Sequence, residues 1–546
     1  MADRWYREAV IYCLDVQTFQ DSNGDGIGDL QGLISRLDYL ARLGVTCLWL
    51  NPIHPSPRQD DGYDITDFYG VDPQIGTMGE FTELVHQASD RGLRIILDLV
   101  VNHTSDEHPW FVDARSTPDS PYRDWYVWSA KEPSDRQQGM VFPGHQDETW
   151  TWDEQAGAWY YHRFYAFQPD LNTANEAVQN EIENIIGFWL GLGVAGFRMD
   201  AAPFIIEQTE PGRPDSPKDF GQLTRYRERL SWRRGDAVIL AEANVENDEL
   251  VRYFGDEGGS NNRLPMLFDF VLSVRTLLAL ARGEAAPIYQ ALAGAPPIPN
   301  HAQWATFLRN HDEVDLSRLS KDEQQEVFAA FGPEPEMQLY GRGIRRRLAP
   351  MLGNDPARLR LAYSLQFTLP GTPVLRYGEE LGMGDDLSLP EREALRTPMQ
   401  WDGTDGAGFS GSDEPVRPVI STGEYGAPNV NVAKARQEPD SLLMWFERMI
   451  ASVRECPEIG TGTCHPVQVA SPAVLAHRFE APGGTLLLLH NLGRDEVSVD
   501  LGPQPGQDGD PVEVFADRRY DPPTAELSGL TLTGSGFRWL RLRRTV

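Results

Sequence analysis

The sequence predicts an α/β protein built on a (β/α)8 barrel, and three observations carry that prediction. A helical segment, a glycine and a buried strand recur in that order at 30–43, Gly44 and 45–50; at 80–90, Gly92 and 93–101; and at 177–192, Gly193 and 194–199. A glycine that closes a helix before a continuous apolar run marks parallel βα units. Strand-like runs also end in chemistry: 94–101 leads into Asn102-His103, 194–199 into Asp200, 237–240 into Ala241-Glu242, and 304–308 into Asn310-His311-Asp312. In a parallel barrel such ends share one face, where functional groups collect. Finally, no Gly-x-Gly-x-x-Gly follows the first strand, which sets a dinucleotide fold aside.

Along the chain, 9–16 is the first strand, followed by 45–50, 93–101, 194–199, 237–240, 304–308 and 372–377. A weaker eighth strand lies near 264–268. Residues 104–170 are rich in Trp, Tyr, Pro and Asp and lack helical periodicity, so they are expected to form an irregular subdomain inserted after strand 3, over the catalytic face. The barrel then occupies 1–103 and 171–462, with a second, charged insertion at 315–358. That insertion holds Arg345-Arg346-Arg347, read as a solvated or ion-paired helix face. After a helix at 442–454, short strand-like runs such as 474–479 and 485–490 predict a C-terminal antiparallel β-sandwich over 463–546. This unit either packs rigidly on the barrel or pairs two copies of the chain as a homo-oligomer.

Composition narrows the function classes. A chain of 546 residues exceeds one ordinary core. With 40% hydrophobic and 24% charged residues it is globular, and a formal net charge of −32 argues against nucleic acid or an anionic membrane as partner. No apolar run is long enough to span a bilayer, and residues 1–5 carry no basic region followed by an apolar stretch, so a cytoplasmic enzyme is the simplest expectation. Of the four cysteines, Cys13 and Cys47 sit in apolar runs as core thiols; Cys456 and Cys464 are close enough to pair, although free thiols are the expected state. No Cys/His spacing matches a zinc site.

Three strand ends deliver Asp200, Glu242 and Asp312. Cleavage of a glycosidic bond needs two carboxyls, one to attack or activate water and one to protonate the leaving oxygen; a third can orient sugar hydroxyls. Arg198 shares a side of its strand with Asp200 and favours the ionised form. It also argues against the competing reading of the trio as a divalent-metal site. Separately, Asp21-Ser-Asn23-Gly-Asp25-Gly-Ile27-Gly-Asp29 sets oxygen donors at alternating positions around glycine turns, with Ile27 offering its carbonyl. That suits a hard cation, Ca2+ or Mg2+. The closing Glu of an EF-hand is missing, and a solvated acidic turn is the plain alternative.

These motifs carry a resemblance. Asp98-Leu-Val-Val-Asn102-His103, Gly196-Phe-Arg-Met-Asp200, Ala241-Glu242-Ala243-Asn244 and Asn310-His311-Asp312 resemble the four signature regions of the α-amylase superfamily, glycoside hydrolase family 13. Gln168-Pro-Asp170-Leu-Asn172 resembles its fifth region as found in α-glucosidases, oligo-1,6-glucosidases and trehalose synthases. The resemblance implies Asp200 as nucleophile, Glu242 as general acid/base and Asp312 as transition-state stabiliser. It implies His103 and His311 as hydrogen-bonding partners of the glucose ring, and Asp60 and Tyr63 as closing the subsite of the non-reducing glucose. An arginine from the eighth loop is expected to pair with Asp60: Arg396 is the choice, with Arg392 its competitor. The resemblance further implies a structural Ca2+ or Mg2+ in the 21–29 loop and a second Ca2+ on Asn102, Asp170, the carbonyls of Phe204 and Ile205, and Glu207.

The branch implied is a retaining α-glucosidase or α-glucosyltransferase acting on a small maltose-like α-1,4-glucoside through a β-glucosyl–Asp200 intermediate. Ala201, small where α-1,6-preferring relatives tend to carry valine, agrees with that substrate. Maltose–trehalose isomerisation is the alternative reading, since 102–111, 343–350 and 396–401 look most like trehalose synthases. The departure from them lies at 244–275, where Val245-Glu246-Asn247 replaces the usual Gln-Trp-Pro. A non-catalytic, transporter-associated or sugar-binding relative is the remote option, and the intact carboxylate trio speaks against it.

Overall fold

The structure is a computed structural model that describes residues 4–207, 217–255, 262–505 and 507–542. The outermost parts of the predicted end segments, 1–3 and 543–546, lie outside the described residues. Eight parallel strands close a barrel: Ile11–Leu14, Cys47–Leu50, Arg94–Leu99, Gly196–Met199, Val238–Ala241, Met266–Phe268, Gln303–Thr306 and Thr372–Arg376. Each pairs with its sequence neighbour, and the eighth closes on the first through Ile11↔Val374 and Cys13↔Arg376. The period of two is visible in the packing: Ile11, Cys13, Cys47 and Trp49 fill the barrel interior, whereas Tyr12, Leu14, Leu48 and Leu50 face the surrounding helices. Gly196 is required where strands four and five approach, because a Cβ there would lie 2.0 Å from the Val238 carbonyl oxygen.

The helix–glycine–strand units are present with one change. Gly44, Gly92 and Gly193 all take positive φ after their helices. Residues 30–43, however, form two helices, Leu30–Ser35 and Leu37–Leu43. They break at Arg36, whose guanidinium bonds Gln20 and lies 4.1 Å over the Trp401 ring. The helix over Met78–Asp90 starts two residues earlier than its apolar pattern, at a capping box of Thr77 and Glu80.

Two expectations need correction. The 104–170 insertion contains a helix, Pro109–Ser116, started by the His108 ring and a proline in its first turn, and a three-stranded antiparallel sheet of Trp128–Ser129, Ala158–Tyr161 and Trp150–Asp153. Two turns are too few to show a period. The arginine triplet is not a helix face: it follows the short strand Gly343–Ile344 and precedes the helix Leu348–Met351. Arg345 donates to the carbonyls of Glu336, Leu387, Leu389 and Glu391, and Arg347, fully buried, pairs with Glu379. Charges that are solvated in isolation are buried here because their partners lie elsewhere in the chain.

The helix Leu442–Arg454 leads to five C-terminal antiparallel strands, ordered Thr463–Val467, Val474–Ala481, Gly484–Asn491, Phe537–Leu542 and Val512–Ala516, beside a two-stranded pair, Val497–Val499 and Leu530–Leu532. The larger sheet docks on the barrel helix Pro356–Thr368: His490 Nε2 and Trp539 Nε1 each lie 2.9 Å from Ser364 Oγ, and His477 Nε2 lies 2.8 Å from the Thr368 carbonyl. All four cysteines are free thiols, so Cys456 and Cys464 do not pair. Among the described residues no helix is long and apolar enough to cross a membrane.

Candidate active site

The C-terminal ends of the strands converge on a cavity of about 470 Å³ lined by Asp60, Tyr63, His103, Asp200, Glu242, His311, Asp312 and Arg392 among others. Its hub is Arg198. Strand register sets Asp98 opposite Arg198, and both side chains are buried. The Arg198 guanidinium donates to Asp98 Oδ1 (3.0 Å), Asp200 Oδ1 (2.6 Å) and Glu242 Oε2 (2.6 Å). One side chain therefore ties the expected nucleophile to the expected acid/base, holding both carboxyls within reach of a single guanidinium. Asp98 is the site residue that carried no role in the sequence reading. Its second oxygen accepts from the Tyr63 hydroxyl at 3.0 Å, and Tyr63 stacks on His311 with ring centroids 5.7 Å apart.

Backbone geometry places the two acids. Asp200 N donates to the Leu99 carbonyl and Glu242 N to the Met199 carbonyl, so each acid follows its strand by one ladder bond. Ala201 then turns left-handed at φ 48°, a conformation that costs a non-glycine residue about 1–3 kcal/mol, and its successor's amide bonds the Glu242 carbonyl. The residue read from sequence as a specificity marker is thus also the pivot that aims Asp200.

The electrostatics separate the acids. Burial pushes Glu242 up to about 7 against the pull of Arg198, and the charges of Asp200 and Asp312 add to the rise. Burial likewise lifts Asp200 to about 6, again opposed by Arg198. Asp312 moves the other way: burial would raise it, but neighbouring positive charge holds it well below the usual range. Burial keeps His311 neutral, so Arg392, Arg396 and Arg198 supply that charge. The roles expected from the sequence require Asp200 ionised and Glu242 protonated. We therefore expect a bell-shaped kcat/KM profile for the pair, with an acid limb near about 6 and an alkaline limb near about 7. A rate flat from about pH 5 to about pH 8 would contradict these roles.

One expected pairing differs. Arg396 does not pair with Asp60, and neither does Arg392. Arg396 donates to Asp61, to Asp312 Oδ1 at 3.0 Å and to the His311 carbonyl at 2.9 Å. Asp61 stands at φ 49° and also takes Arg417, a partner from a distant loop that the sequence did not indicate. Arg392 lies 3.2 Å from Asp312 Oδ1 and 2.9 Å from Glu313 Oε2. Asp60 lines the cavity and accepts from Gln168 Nε2 at 2.9 Å; burial pushes it up to about 6. His103 Nε2 lies 3.1 Å from the Tyr63 carbonyl, and burial lowers it to about 4, leaving a neutral ring.

A cluster that sequence reasoning missed joins the two insertions beside the cavity, and its Phe142 and Arg392 stand on the cavity wall. Glu391 Oε2 accepts from Tyr165 of the first insertion (2.6 Å) and Tyr340 of the second (2.7 Å), while His145 Nδ1 lies 3.1 Å from Glu391 Oε1. Phe142 stacks between Tyr165 and Tyr340 at 4.9 Å from each, and Arg392 lies 4.7 Å over its ring. Only the aromatic richness of 104–170 hinted at this.

The cation loops differ in how well they fit. In 21–29, Asp21 accepts the amides of Asn23, Gly24 and Gly26, Asp25 that of Ile27, and Asp29 caps the following helix. The donor set is all oxygen, which is hard-cation chemistry, and Gly24 and Gly26 take the positive φ the turn needs. Around Asn102, Asp170 and Glu207 the fit is poorer: Arg163 pairs with Glu207, and its amide donates to Asp170 at 2.9 Å, so a guanidinium already supplies the positive charge. The Phe204 carbonyl accepts the Glu207 amide, and Ile205 ends a four-residue helix. Among the described residues no group of three or more His, Cys, Asp or Glu side chains forms a metal-holding cluster.

A closed parallel barrel with paired carboxyls at its strand ends suits an enzyme that cleaves or transfers glycosidic bonds. The alpha-amylase catalytic-domain model matches residues 13–331 and 345–461, and the chain belongs to that family. It is 41% identical to a trehalose synthase/amylase of Mycolicibacterium smegmatis, over 99% of this chain and 93% of that protein. It is 32% identical to an oligo-1,6-glucosidase of Heyndrickxia coagulans, over 91% and 93% respectively. Among solved structures, the trehalose-6-phosphate hydrolase of Bacillus licheniformis superposes with a TM-score of 0.77 at 25% identity, covering 99% of this chain and all of that one. The chain is a glycoside hydrolase or transglucosidase of this family.

Proposed function

We propose that the protein is a retaining α-glucosyl-transferring enzyme that interconverts maltose and trehalose. Glu242 protonates the leaving glycosidic oxygen while Asp200 attacks C1, forming a β-glucosyl ester. The released glucose turns and presents its anomeric hydroxyl, Glu242 takes that proton, and the new bond forms as the ester breaks. Asp312, kept ionised by its arginines, binds sugar hydroxyls more tightly as positive charge develops on the ring. Trehalose synthases among the relatives support this reading over simple hydrolysis. The observation that carries it is the Glu391 cluster, which ties the two insertions together where Phe142 and Arg392 line the cavity. Isomerisation requires the glucose to stay and water to stay out, and such a tie would hold the insertions over a bound sugar.

Product analysis after incubation with maltose tests it: trehalose should accumulate ahead of free glucose. Glucose with little trehalose would instead favour an α-glucosidase, a reading supported by Val245 and its neighbours on the acceptor side. Tyr340→Phe removes one hydrogen bond to the Glu391 carboxylate, an interaction type worth about 1.5–3 kcal/mol. The expected result is a several-fold rise in the ratio of glucose to trehalose with little change in total maltose consumption; an unchanged ratio would remove the Glu391 cluster from the mechanism.

The substrate is a small α-glucoside. The 21–29 loop holds a structural Ca2+ or Mg2+ through Asp21, Asn23, Asp25, Asp29 and the Ile27 carbonyl. Chelator is expected to lower Tm by a few degrees, restored by added Ca2+, whereas an identical melting curve would mean that the amide bonds alone order the loop.

A further inference from the structure

We propose that a second cavity, at the end of the barrel opposite the acids, binds the phosphate monoester of a small ring compound, a sugar or a nucleoside. Such a site stands whether or not maltose is the substrate. The cavity, of about 390 Å³, lies where the first, second, third and eighth strands begin, and Trp5, Arg7, Glu8, Arg94 and Arg454 stand on its wall. Pockets that enclose a small organic ligand run to about 300–1,000 Å³, so the volume is sufficient. Three guanidinium groups to one carboxylate is the reverse of the chain as a whole, whose formal net charge is −32.

Positive charge is crowded here beyond what its neighbours offset. Arg4 and Arg7 both donate to one neutral acceptor, the Asn300 carbonyl, and Arg7 reaches on to the Ala302 carbonyl at 3.2 Å. Arg227 donates to the Ala237 carbonyl at 2.7 Å. Among the described residues none of these three arginines has a carboxylate partner, and Arg7 Nε, Arg227 Nε and His301 Nε2 are enclosed without a hydrogen bond. Burial raises Tyr6 and lowers His301, and the charges of Arg227, Arg4 and Arg7 press both downward, so the three fields overlap. On the cavity wall, Arg94 shares Asp236 with Arg234 (2.7 and 3.0 Å) and lies 4.8 Å over the Trp5 ring. Arg454, the last residue of its helix, is exposed and has no partner among the described residues. Like charges gathered on neutral carbonyls are relieved by an anion. A phosphate monoester suits them because its oxygens accept the paired N–H groups of a guanidinium and its charge offsets more than one cation. The half-buried Trp5 offers the attached ring an apolar face. Screening favours a small ligand: in physiological salt a surface charge is felt over only about 8 Å. A small anion therefore meets the local arginines, whereas a nucleic acid or membrane also meets the surrounding carboxylates.

The test is equilibrium dialysis of the full-length protein against labelled phosphate, sulfate, glucose 6-phosphate and AMP, each with and without saturating maltose. The expected result is tighter retention of at least one ester than of either inorganic ion, unaffected by maltose. A preference for glucose 6-phosphate would assign the ring to a sugar, and one for AMP to a nucleoside. Arg454→Glu reverses a charge that pairs with no described residue. It should weaken every phosphate ligand by about tenfold or more, the scale of one charge-assisted hydrogen bond, with maltose turnover in phosphate-free buffer unchanged. Trp5→Ala should weaken the ester and leave inorganic phosphate as it was. Esters retained no more tightly than the inorganic ions would mean an adventitious ion only and would overturn the proposal. So would the absence of any binding, displacement of the ester by maltose, which would place it in the catalytic cavity, or an ester affinity unchanged in both variants.

Discussion

Asp200→Asn is expected to lower kcat/KM on maltose by on the order of 10⁴-fold or more, with Tm changed by no more than a few degrees. The amide is nearly isosteric, still accepts from Arg198 and still sits behind the left-handed Ala201. In the proposed mechanism it cannot form the glucosyl ester, so the reaction loses its covalent route rather than its substrate. Binding of maltose should therefore survive, and calorimetry on the variant would separate the two effects. The complementary measurement is made on the unaltered enzyme: acid quenching during turnover should leave one glucosyl unit on the peptide that contains Asp200. A variant that keeps near-normal turnover, or a glucosyl adduct on another carboxylate, would remove Asp200 from its role.

How far the sequence alone reaches is decided residue by residue. Strands such as Arg94–Leu99 were legible because burial on both faces leaves an unbroken apolar run, and the acids were legible because each follows such a run directly. Met266–Phe268 was faint because three residues carry little pattern. The confusion of Asp60 with Asp61 has a different cause. Adjacent carboxylates are chemically equal in sequence, and what separates them is the backbone turn at Asp61, the approach of Arg417 and the capture of Asp60 by Gln168. The Glu391 cluster is the extreme case, since Tyr165, Tyr340 and Glu391 come from two insertions and the eighth loop and meet only through the barrel's closure. Asp98 was hidden for the opposite reason, as a charge inside an apolar strand whose partner, Arg198, is supplied by register. Local patterns therefore reveal where chemistry sits, and long-range pairing decides which atoms it uses.

Arg198→Gln should be the most damaging change that leaves every carboxyl of the site in place. Asp98, Asp200 and Glu242 all bond this guanidinium, and Arg198 is itself 1% exposed. Removing one partner of a buried ion pair typically costs about 3–5 kcal/mol, because the remaining charge is left uncompensated. The loss has a defined pH dependence. Burial already raises Asp200 to about 6 and Glu242 to about 7, and Arg198 opposes it in both cases. Without the arginine both carboxyls hold their protons to higher pH. A carboxyl whose folded pKa lies above its unfolded value, about 4, binds protons more tightly when folded, so it lowers stability increasingly as pH rises through that window. The deficit of the variant should accordingly be larger at pH 8 than at pH 5, and the acid limb of its residual kcat/KM should move upward. Arg198→Lys is the control: it restores a charge but not the fork that reaches Asp200 and Glu242 together, so it should recover stability more than rate. Thermal unfolding at the two pH values, alongside the pH–rate profile, reads both consequences. An equal loss of Tm at pH 5 and pH 8 with an unmoved acid limb would mean that Arg198 serves packing alone and that the ionisation of Asp200 and Glu242 is set by other groups.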